Sequence, residues 1–169
     1  MRETVDVYRF TFTAVRTPGR FTAVQVNDLR LYGLLLSTPP LVPFSITNPG
    51  GHSPPAQGAI NLFDSGAEES HTKWLDLAFP TVGSSTLDIG IVASEVTAYE
   101  LVTANDNPSH DPVSWTVARQ RAGSTDWVLI DKQDRLSPPL ERCDSALSVE
   151  PAAGSLFPSS RPLCTASGR

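Results

Sequence analysis

The stretch that decides the fold runs from Ala59 to Phe79 and reads Ala-Ile-Asn-Leu-Phe-Asp-Ser-Gly-Ala-Glu-Glu-Ser-His-Thr-Lys-Trp-Leu-Asp-Leu-Ala-Phe. It places a turn-forming Asp-Ser-Gly sequence at 64–66 before a short apolar run that contains Trp74. Asp, Ser and Gly favour turns, because they tolerate turn geometry or bond their own backbone. A tryptophan inside a strand is typical of a core. The stretch therefore predicts a loop followed by a buried strand, and it favours binding over catalysis.

Period-two alternation supports strands on the N-terminal side of this stretch. In residues 5–15 one face of the predicted strand carries Tyr8, Phe10, Phe12 and Ala14, which is the pattern of a half-buried strand. Residues 24–32 alternate in the same way, but the pattern slips by one position at Asn27-Asp28. We expect a β-bulge there, because one extra residue would return Leu29 and Leu31 to the inner face.

Composition extends the all-β interpretation to the rest of the chain. The 169 residues include 15 prolines and 11 glycines, and no segment has the pattern of a helix of ten or more residues. Short strands separated by turn clusters predict a β-sandwich or barrel. From Lys132 onward Pro, Ser, Ala and Arg dominate. We therefore predict a sandwich at 1–135 and a mostly irregular extension at 136–169, which, if ordered, lies on its own sandwich or on a partner chain.

Several segments resemble the galactose-binding-like β-sandwich superfamily, which includes discoidin or coagulation-factor C-type domains and related carbohydrate-binding modules. The strand Gln25-Val26-Asn27-Asp28-Leu29-Arg30-Leu31-Tyr32-Gly33 resembles a strand of that superfamily that reads V-Q-L-x-E-I-R-L-Y. The order of segments continues through 61–74, 99–106, 111–115 and 126–127. The resemblance covers about residues 5–135, and the combined pattern is more specific than any one piece.

The resemblance implies an antiparallel jelly-roll sandwich of about eight strands with its loops gathered at one end. Members are mostly non-catalytic and bind sugars, lipids or proteins through those loops, and many hold a structural calcium. The positions that match the calcium loop are Asp64 and Thr72. Asp64-Ser65-Gly66 departs from the usual Asp-Gly, and the alternative is that Asp64 caps its own turn. Backbone carbonyls would have to supply most of the six to eight oxygens that calcium takes.

The charge argues against nucleic-acid binding, and the hydropathy argues against a membrane-spanning helix. The net charge is −5, and no run of Lys or Arg forms a basic stripe, so we expect no nucleic-acid binding. No apolar run approaches the ~20 residues of a membrane-spanning helix. The N-terminus lacks the apolar centre of a signal peptide. We expect either that this chain carries no leader of its own or that a leader has been removed.

The two cysteines leave two interpretations open. Cys143 and Cys164 both lie in the C-terminal extension. A disulfide between them would close a loop of about 20 residues and contribute roughly 3 kcal/mol. The alternative is two free thiols in a reducing compartment, which is the interpretation we favour from the sequence.

Catalytic signatures are missing from the sequence. It has no Gly-x-Ser-x-Gly elbow, no phosphate-binding glycine loop, and no cysteine with a matching histidine. The carboxylates Glu68 and Glu69 lie together on one loop, whereas glycoside hydrolysis needs two carboxylates that face each other across a cleft. Trp74, Trp115 and Trp127 each lie inside an alternating strand, so we expect all three in the core. We therefore predict that the protein is not an enzyme.

The remaining candidate site residues lie in the predicted loops at 48–57, 63–72 and 105–111. If the loops bind a ligand, the side chains to expect there are His52, Phe63, His71, Asn107 and His110. The histidines lack zinc-ligand spacing. For His110, which lies between Asp106 and Asp111, a solvated loop residue is the interpretation we favour over a salt bridge or a ligand hydrogen bond. The only aromatic residues that these patterns place on loops are Phe44 and Phe63. This weakens the hypothesis that loop aromatics stack on a sugar ring.

The sequence therefore predicts a non-enzymatic interaction or scaffold module. We expect an accessory subunit that docks onto a larger assembly through its loops and C-terminal extension, with protein chains as partners. The alternative is a carbohydrate-binding module that recognises a glycan at the loop end. No cofactor is expected apart from the possible structural calcium.

Overall fold

The computed structural model describes residues 4–19, 22–33, 40–63, 72–92 and 95–143, and the backbone of 145–149. It is an all-β antiparallel sandwich, which confirms the predicted fold class. The strands in this described part are β1 (Val5–Val15), β2 (Val24–Val26), β3 (Asp28–Tyr32), β4 (Ser45–Thr47), β5 (Trp74–Asp76), β6 (Ser85–Val92), β7 (Ala98–Val102), β8 (Pro112–Gln120), β9 (Trp127–Gln133) and β10 (Ser145–Val149). Within these same ranges, helical structure is limited to 3₁₀ turns at Ala59–Phe63 and Pro108–His110 and a single turn, α1, at Phe79–Val82.

Two sheets form the layers of the sandwich and a third, smaller sheet adds to them. The five-stranded sheet has the order β4-β6-β1-β8-β9, and the three-stranded sheet has the order β10-β7-β3. Strands β2 and β5 form a separate two-stranded sheet. None of the described helices is long and apolar enough to cross a membrane.

Strand β1 follows its predicted alternation over most of its length. Tyr8, Phe10 and Phe12 are buried in one continuous core cluster, and the residues between them are partly exposed. The prediction that Ala14 continues this face is wrong. The β1–β8 register shifts between Phe12 and Ala14, and Val15 is buried instead. An irregularity of this kind moves the next inward position by one residue.

The predicted bulge at Asn27-Asp28 is a change of sheet. Strand β2 pairs with β5, whereas β3 pairs with β7. Asn27 lies between the two strands, and its backbone N–H donates to the carbonyl of Val102 at 2.9 Å. Leu29 and Leu31 are buried as expected. Their inward face is restored because the chain crosses from one sheet to another, which is how corners form in sandwiches.

Two of the three tryptophans are in the core and the third is not. Trp74 and Trp115 are buried, and the ring of Phe12 lies 5.5 Å and 6.2 Å from theirs, centroid to centroid. The core prediction for Trp127 is wrong, because this residue is partly exposed on β9. The guanidinium carbon of Arg9 lies 4.2 Å from the centre of its ring. Arg9 alternates with the inward Tyr8 and Phe10, so Trp127 lies on the outer face.

The described part of the C-terminal extension belongs to the sandwich. The backbone N–H of Leu136 donates to the carbonyl of Val113 at 2.9 Å, and β10 pairs antiparallel with β7. Cys143 is buried and disulfide-bonded, so the favoured expectation of free thiols is wrong. The sequence did not predict β10. Cys164 and the rest of 150–169 lie outside the described residues.

Contacts between the layers determine which edges of the two sheets align. The N–H of Leu41, shortly before β4, donates to the carbonyl of Leu31 in β3 at 2.7 Å. Tyr99 in β7 donates its hydroxyl to Asp131 in β9 and accepts from the Trp115 indole. Strand β3 therefore lies near β4, and β7 lies over β8 and β9.

Candidate functional site

A buried lysine organises the loop end of the sandwich. The Nζ of Lys73 donates to the Oε1 of Gln25 at 2.8 Å and to the Oδ1 of Asp106 at 2.5 Å. Gln25 is fully buried, and its Nε2 donates to the carbonyls of Asp106 and Asn107. These bonds tie the β2–β5 sheet to the 105–111 loop, and the cation of Lys73 is paired with Asp106 inside the protein.

The structure brings two predicted ligand residues together in the 105–111 loop. The Nδ2 of Asn107 lies 3.1 Å from the Nε2 of His110. The Oδ1 of Asn107 accepts from the backbone N–H and the hydroxyl of Ser109, so Asn107 caps the 3₁₀ turn that follows it. An amide nitrogen can only donate. The Nε2 of His110 therefore accepts, and the imidazole in this arrangement is neutral.

The charges around His110 favour that neutral state. Burial lowers the pKa of His110, and the positive charge of Lys73 lowers it further, against the opposing effect of Asp106 and Asp111. For Asp106, burial alone would raise the pKa. The hydrogen bond and charge of Lys73 outweigh burial, with smaller contributions from Gln25 and His110, and the pKa is lowered. Lys73 thus favours a charged Asp106 and a neutral His110.

Asp111 forms a second cluster at the same end of the sandwich. Its side chain is fully buried, and Arg142 binds it through two hydrogen bonds of 2.9 Å and 2.8 Å. Arg16 approaches the same carboxylate at 3.2 Å and donates to the carbonyls of Pro138 and Pro139. The sequence did not predict this cluster, because Arg142 lies in a segment whose composition indicated an irregular tail. Its one local signal was an Asp directly before Pro112.

His52 and Phe63 lie apart from these clusters. The N–H of His52 donates to the Oδ1 of Asp76 at 2.9 Å, while its side chain is exposed. Asp76 is buried and also accepts from the N–H of Ala78 and the hydroxyl of Ser85. Phe63 is partly buried against the core. Within the described residues, no hydrogen bond or ion pair joins His52 to Asn107 or His110.

The predicted calcium loop falls largely outside the described residues. Asp64 and His71 lie in the part that the structure does not describe, whereas Thr72 is partly buried and lies two residues before β5. Within the described ranges, no group of three or more His, Cys, Asp or Glu side chains is placed to hold a metal ion. The calcium site therefore stays a prediction that rests on the resemblance.

Strand β9 exposes three consecutive apolar side chains, which we call the β9 patch. Val128, Leu129 and Ile130 are 60%, 60% and 46% exposed. Among the described strands β9 pairs only with β8. Asp131 lies opposite Val117, and Leu129 lies opposite Ala118, so Ile130 is an extra residue in β9. The alternation in residues 127–131 predicted a strand and did not indicate the patch, although an unbroken Val-Leu-Ile run is a signal that could have indicated it.

The charged groups of the two loop-end clusters are paired with one another and stabilise the loops. Lys73, Arg16 and Arg142 each contact a carboxylate, and the Asp106, Asp111 and Asp76 carboxylates each accept from a cation or from hydrogen-bond donors. Groups that are satisfied in this way hold loops in place.

No family model, curated protein or solved structure matches the chain, so the likeness to galactose-binding-like sandwiches rests on the residues quoted above.

Proposed function

We propose that the chain is a non-enzymatic interaction module that binds a protein partner through the β9 patch. The observation that carries this proposal is the run of three apolar side chains exposed on one edge strand. Fully burying such a side chain contributes roughly 1.5–3 kcal/mol, so covering three that are about half exposed offers a few kcal/mol. Exposed apolar side chains that cluster at one edge favour a protein–protein contact. Val128 and Leu129 lie opposite Arg119 and Ala118 and so point to opposite faces of β9, which means that a partner would enclose the edge of the sheet.

The geometry of β9 favours side-chain packing over strand addition. The extra residue at Ile130 interrupts the regular β8–β9 register, and bulges and charges at an edge oppose pairing with another strand. Lys132 is exposed two residues further along. Asp131 is engaged by Tyr99 and Gln133 and is therefore not free to bind a partner. A partner that inserts apolar side chains over Val128–Ile130 fits this edge better than one that adds a strand.

The loop end supports the non-enzymatic part of the proposal. Its buried charges are engaged in ion pairs and hydrogen bonds that brace β2, β5 and the 105–111 loop. A catalytic base or nucleophile needs a reactive group that faces a substrate. Asn107 is exposed, but its side chain caps the 3₁₀ turn that follows it and contacts His110.

The docking surface proposed here differs from the one that the sequence suggested. Residues 136–149 use their described contacts on their own sandwich, through β10, Leu136 and Arg142. A partner that bound this part of the extension would have to displace those contacts. The β9 patch requires no such displacement, so we assign the partner to it.

Glycan binding at the loop end is the alternative, and the described loops give it little support. Residues 48–58 and 105–111 contain no Phe, Tyr or Trp, and Phe63 packs against the core. Sugar sites usually combine aromatic faces with a few polar groups. We expect no binding above background when the full chain is applied to a glycan array. A strong signal that His110→Ala abolishes would favour the alternative.

Paired affinity capture tests the proposal. The baits are the full chain, Leu129→Asp, and the matched control Val82→Asp, which changes a residue of nearly equal exposure (62%) on α1. We expect a specific protein that the wild type and the control retain and that Leu129→Asp loses, because a charge at a packed apolar contact is costly. Equal recovery on all three baits would show that the β9 patch is not the docking site.

A further inference from the structure

The longest uncharged stretch of the chain forms exposed surface. No Asp, Glu, Lys or Arg lies between Arg30 and Asp64, although these four residue types make up 18% of the sequence. The structure describes residues 40–63 of this stretch, which we call the uncharged surface. Only Leu62 among them is buried, and all the others are partly or fully exposed. Such a surface is unusual, because charged side chains normally lie on the outside of a protein.

The two ends of the uncharged surface lie together on the β4 side of the sandwich. The 3₁₀ turn at Ala59–Phe63 contacts β4, β3 and β5, so it closes the sandwich between β4 and the second layer. The turn buries Leu62 in the core and leaves Ile60 69% exposed. Directly before β4, Phe44 is 65% exposed and Val42 is 85% exposed. The exposed apolar side chains therefore flank the junction of β4 and this turn.

Hydrogen bonds hold the loop between β4 and the 3₁₀ turn in one shape. The carbonyl of Gln57 accepts from the backbone N–H of Leu75 in β5 at 3.1 Å. The Nδ2 of Asn61 donates to two carbonyls, those of Ala56 and Lys73. Prolines at positions 40, 43, 49, 54 and 55 restrict the backbone further. A surface that is fixed in this way loses little conformational entropy when a partner covers it.

The charge distribution indicates which partner fits this surface. The chain has a net charge of −5, so two copies repel each other at long range. The uncharged surface carries none of that charge. Two copies can bring it together without placing like charges opposite each other and without removing water from an ion, which is costly. Cores of protein interfaces are likewise depleted of charge, and a stable interface takes roughly 20–30 residues from each side, a number that residues 40–63 match.

We propose that the protein forms a two-fold symmetric dimer in which the uncharged surfaces of two copies pack together through Phe44 and Ile60. An interface that uses the same surface on both copies closes on itself and stops at the dimer. Pro43 and Pro49 lie on either side of β4 and oppose strand pairing, so the copies associate by side-chain packing. Strand β9 is at the other end of the five-stranded sheet from β4. The dimer therefore leaves the contact of the proposed function unaffected.

Sedimentation velocity of the purified full chain over a range of protein concentrations tests the dimer. We expect the wild type to shift from monomer to dimer as its concentration rises, and to form nothing larger. Phe44→Asp and Ile60→Asp should each weaken the dimer at least about tenfold, because each places an unpaired charge in an apolar contact. The matched control is Leu140→Asp, which changes a side chain of similar exposure (67%) in the C-terminal segment. It should dimerise like the wild type.

Three results would overturn the dimer. The first is a wild type that stays monomeric at the highest concentration. The second is a dimer that Phe44→Asp or Ile60→Asp leaves intact, with circular dichroism showing that the variant folds, because the copies would then associate elsewhere. The third is equal weakening by Leu140→Asp, which would indicate a general effect of added negative charge. None of these results bears on partner capture through the β9 patch, so the two proposals fail independently.

Discussion

At the scale of single residues, Asp111 joins the two ends of the described chain. Arg16 follows β1, and Arg142 lies just before β10, yet both donate to this one buried carboxylate. An ionised carboxylate inside a protein must be paired, and removing a partner leaves an uncompensated charge. The outer face offers a contrast, because Arg9 and Asp88 form a two-point ion pair of which the Arg9 side chain is 37% exposed.

Replacing Arg142 and Arg9 in turn compares the stability contributed by the buried ion pair with that contributed by the surface ion pair. We expect Arg142→Ala to lower the free energy of unfolding by about 3 kcal/mol, since Asp111 then keeps only the longer contact to Arg16. The control Arg9→Ala should cost about 1 kcal/mol, because water screens that pair. Urea denaturation measures both. A loss for Arg142→Ala that is no larger than the loss for Arg9→Ala would contradict this account of Asp111.

His110 should make stability depend on pH below its ordinary pKa of 6.5. Burial and Lys73 lower its pKa in the folded protein, so the unfolded chain binds the proton more readily. The stability that His110 contributes is therefore present above pH 6.5 and is lost as the pH falls towards the folded pKa. Between pH 8 and pH 5 the wild type should lose more stability than His110→Asn. Parallel pH profiles of the two proteins in thermal melting would contradict this.

At the scale of secondary-structure elements, position in the sheet decides what a tryptophan does. Strand β8 lies between β1 and β9, and its Trp115 is buried beneath β7, where it donates to Tyr99. Strand β9 is an edge, and its Trp127 lies on the outer face under Arg9. The two residues have the same alternating sequence context, so only the arrangement of the strands distinguishes them.

Truncating each tryptophan measures that difference. We expect Trp115→Ala to lower the free energy of unfolding by about 3–5 kcal/mol, because it leaves a cavity and removes the indole donor to the Tyr99 hydroxyl. Trp127→Ala should cost about 1 kcal/mol, in the range of an exposed cation–π contact. Chemical denaturation of the two variants provides the comparison. Similar losses would mean that Trp127 is buried in solution.

Local pattern predicted the elements well where one face of a strand is enclosed. The alternation predicted β1 correctly at Tyr8, Phe10 and Phe12, because the sandwich buries every second residue there. Strand β10 was missed because Ser145-Ala-Leu-Ser-Val149 is short and lies within a Pro- and Ser-rich segment. The change of sheet at Asn27 was also missed. It depends on which strands flank β2 and β3, and local alternation carries no such information.

In the candidate site, too, the sequence indicated a local contact but not the contacts between distant residues. The Asn107–His110 contact joins residues three apart, so one loop of sequence indicated it. The Lys73–Asp106 and Arg142–Asp111 pairs join residues 33 and 31 apart. Only the packing of the β2–β5 sheet and of the C-terminal segment brings them together. Sequence spacing therefore identified the loop but not the cations that stabilise it.

At the scale of the whole molecule, the C-terminal segment completes the sandwich. Residues 136–149 supply β10 to the edge of β7 and Arg142 to Asp111. The hydroxyl of Thr103 also donates to the carbonyl of Glu141. Without them one edge of β7 is unpaired and a buried carboxylate loses its closest partner. The sandwich boundary predicted at residue 135 separates these groups.

Two fragments test how far the sandwich extends. We expect the 1–149 fragment to fold and to melt well above the 1–135 fragment, because only the longer one keeps β10 and Arg142. Both lack Cys164, so the disulfide does not contribute to the difference. Thermal melting followed by circular dichroism gives the comparison. Equal melting temperatures would show that residues 136–149 lie on the sandwich without stabilising it.

The proposed function depends on the β9 patch being a docking surface. The most direct measurement is the affinity of the captured protein for the purified full chain, determined by titration calorimetry with the wild type, Leu129→Asp and Val82→Asp. The account predicts that Leu129→Asp weakens binding at least about tenfold, or ~1.4 kcal/mol, while Val82→Asp binds like the wild type. Equal affinities for all three chains would contradict it.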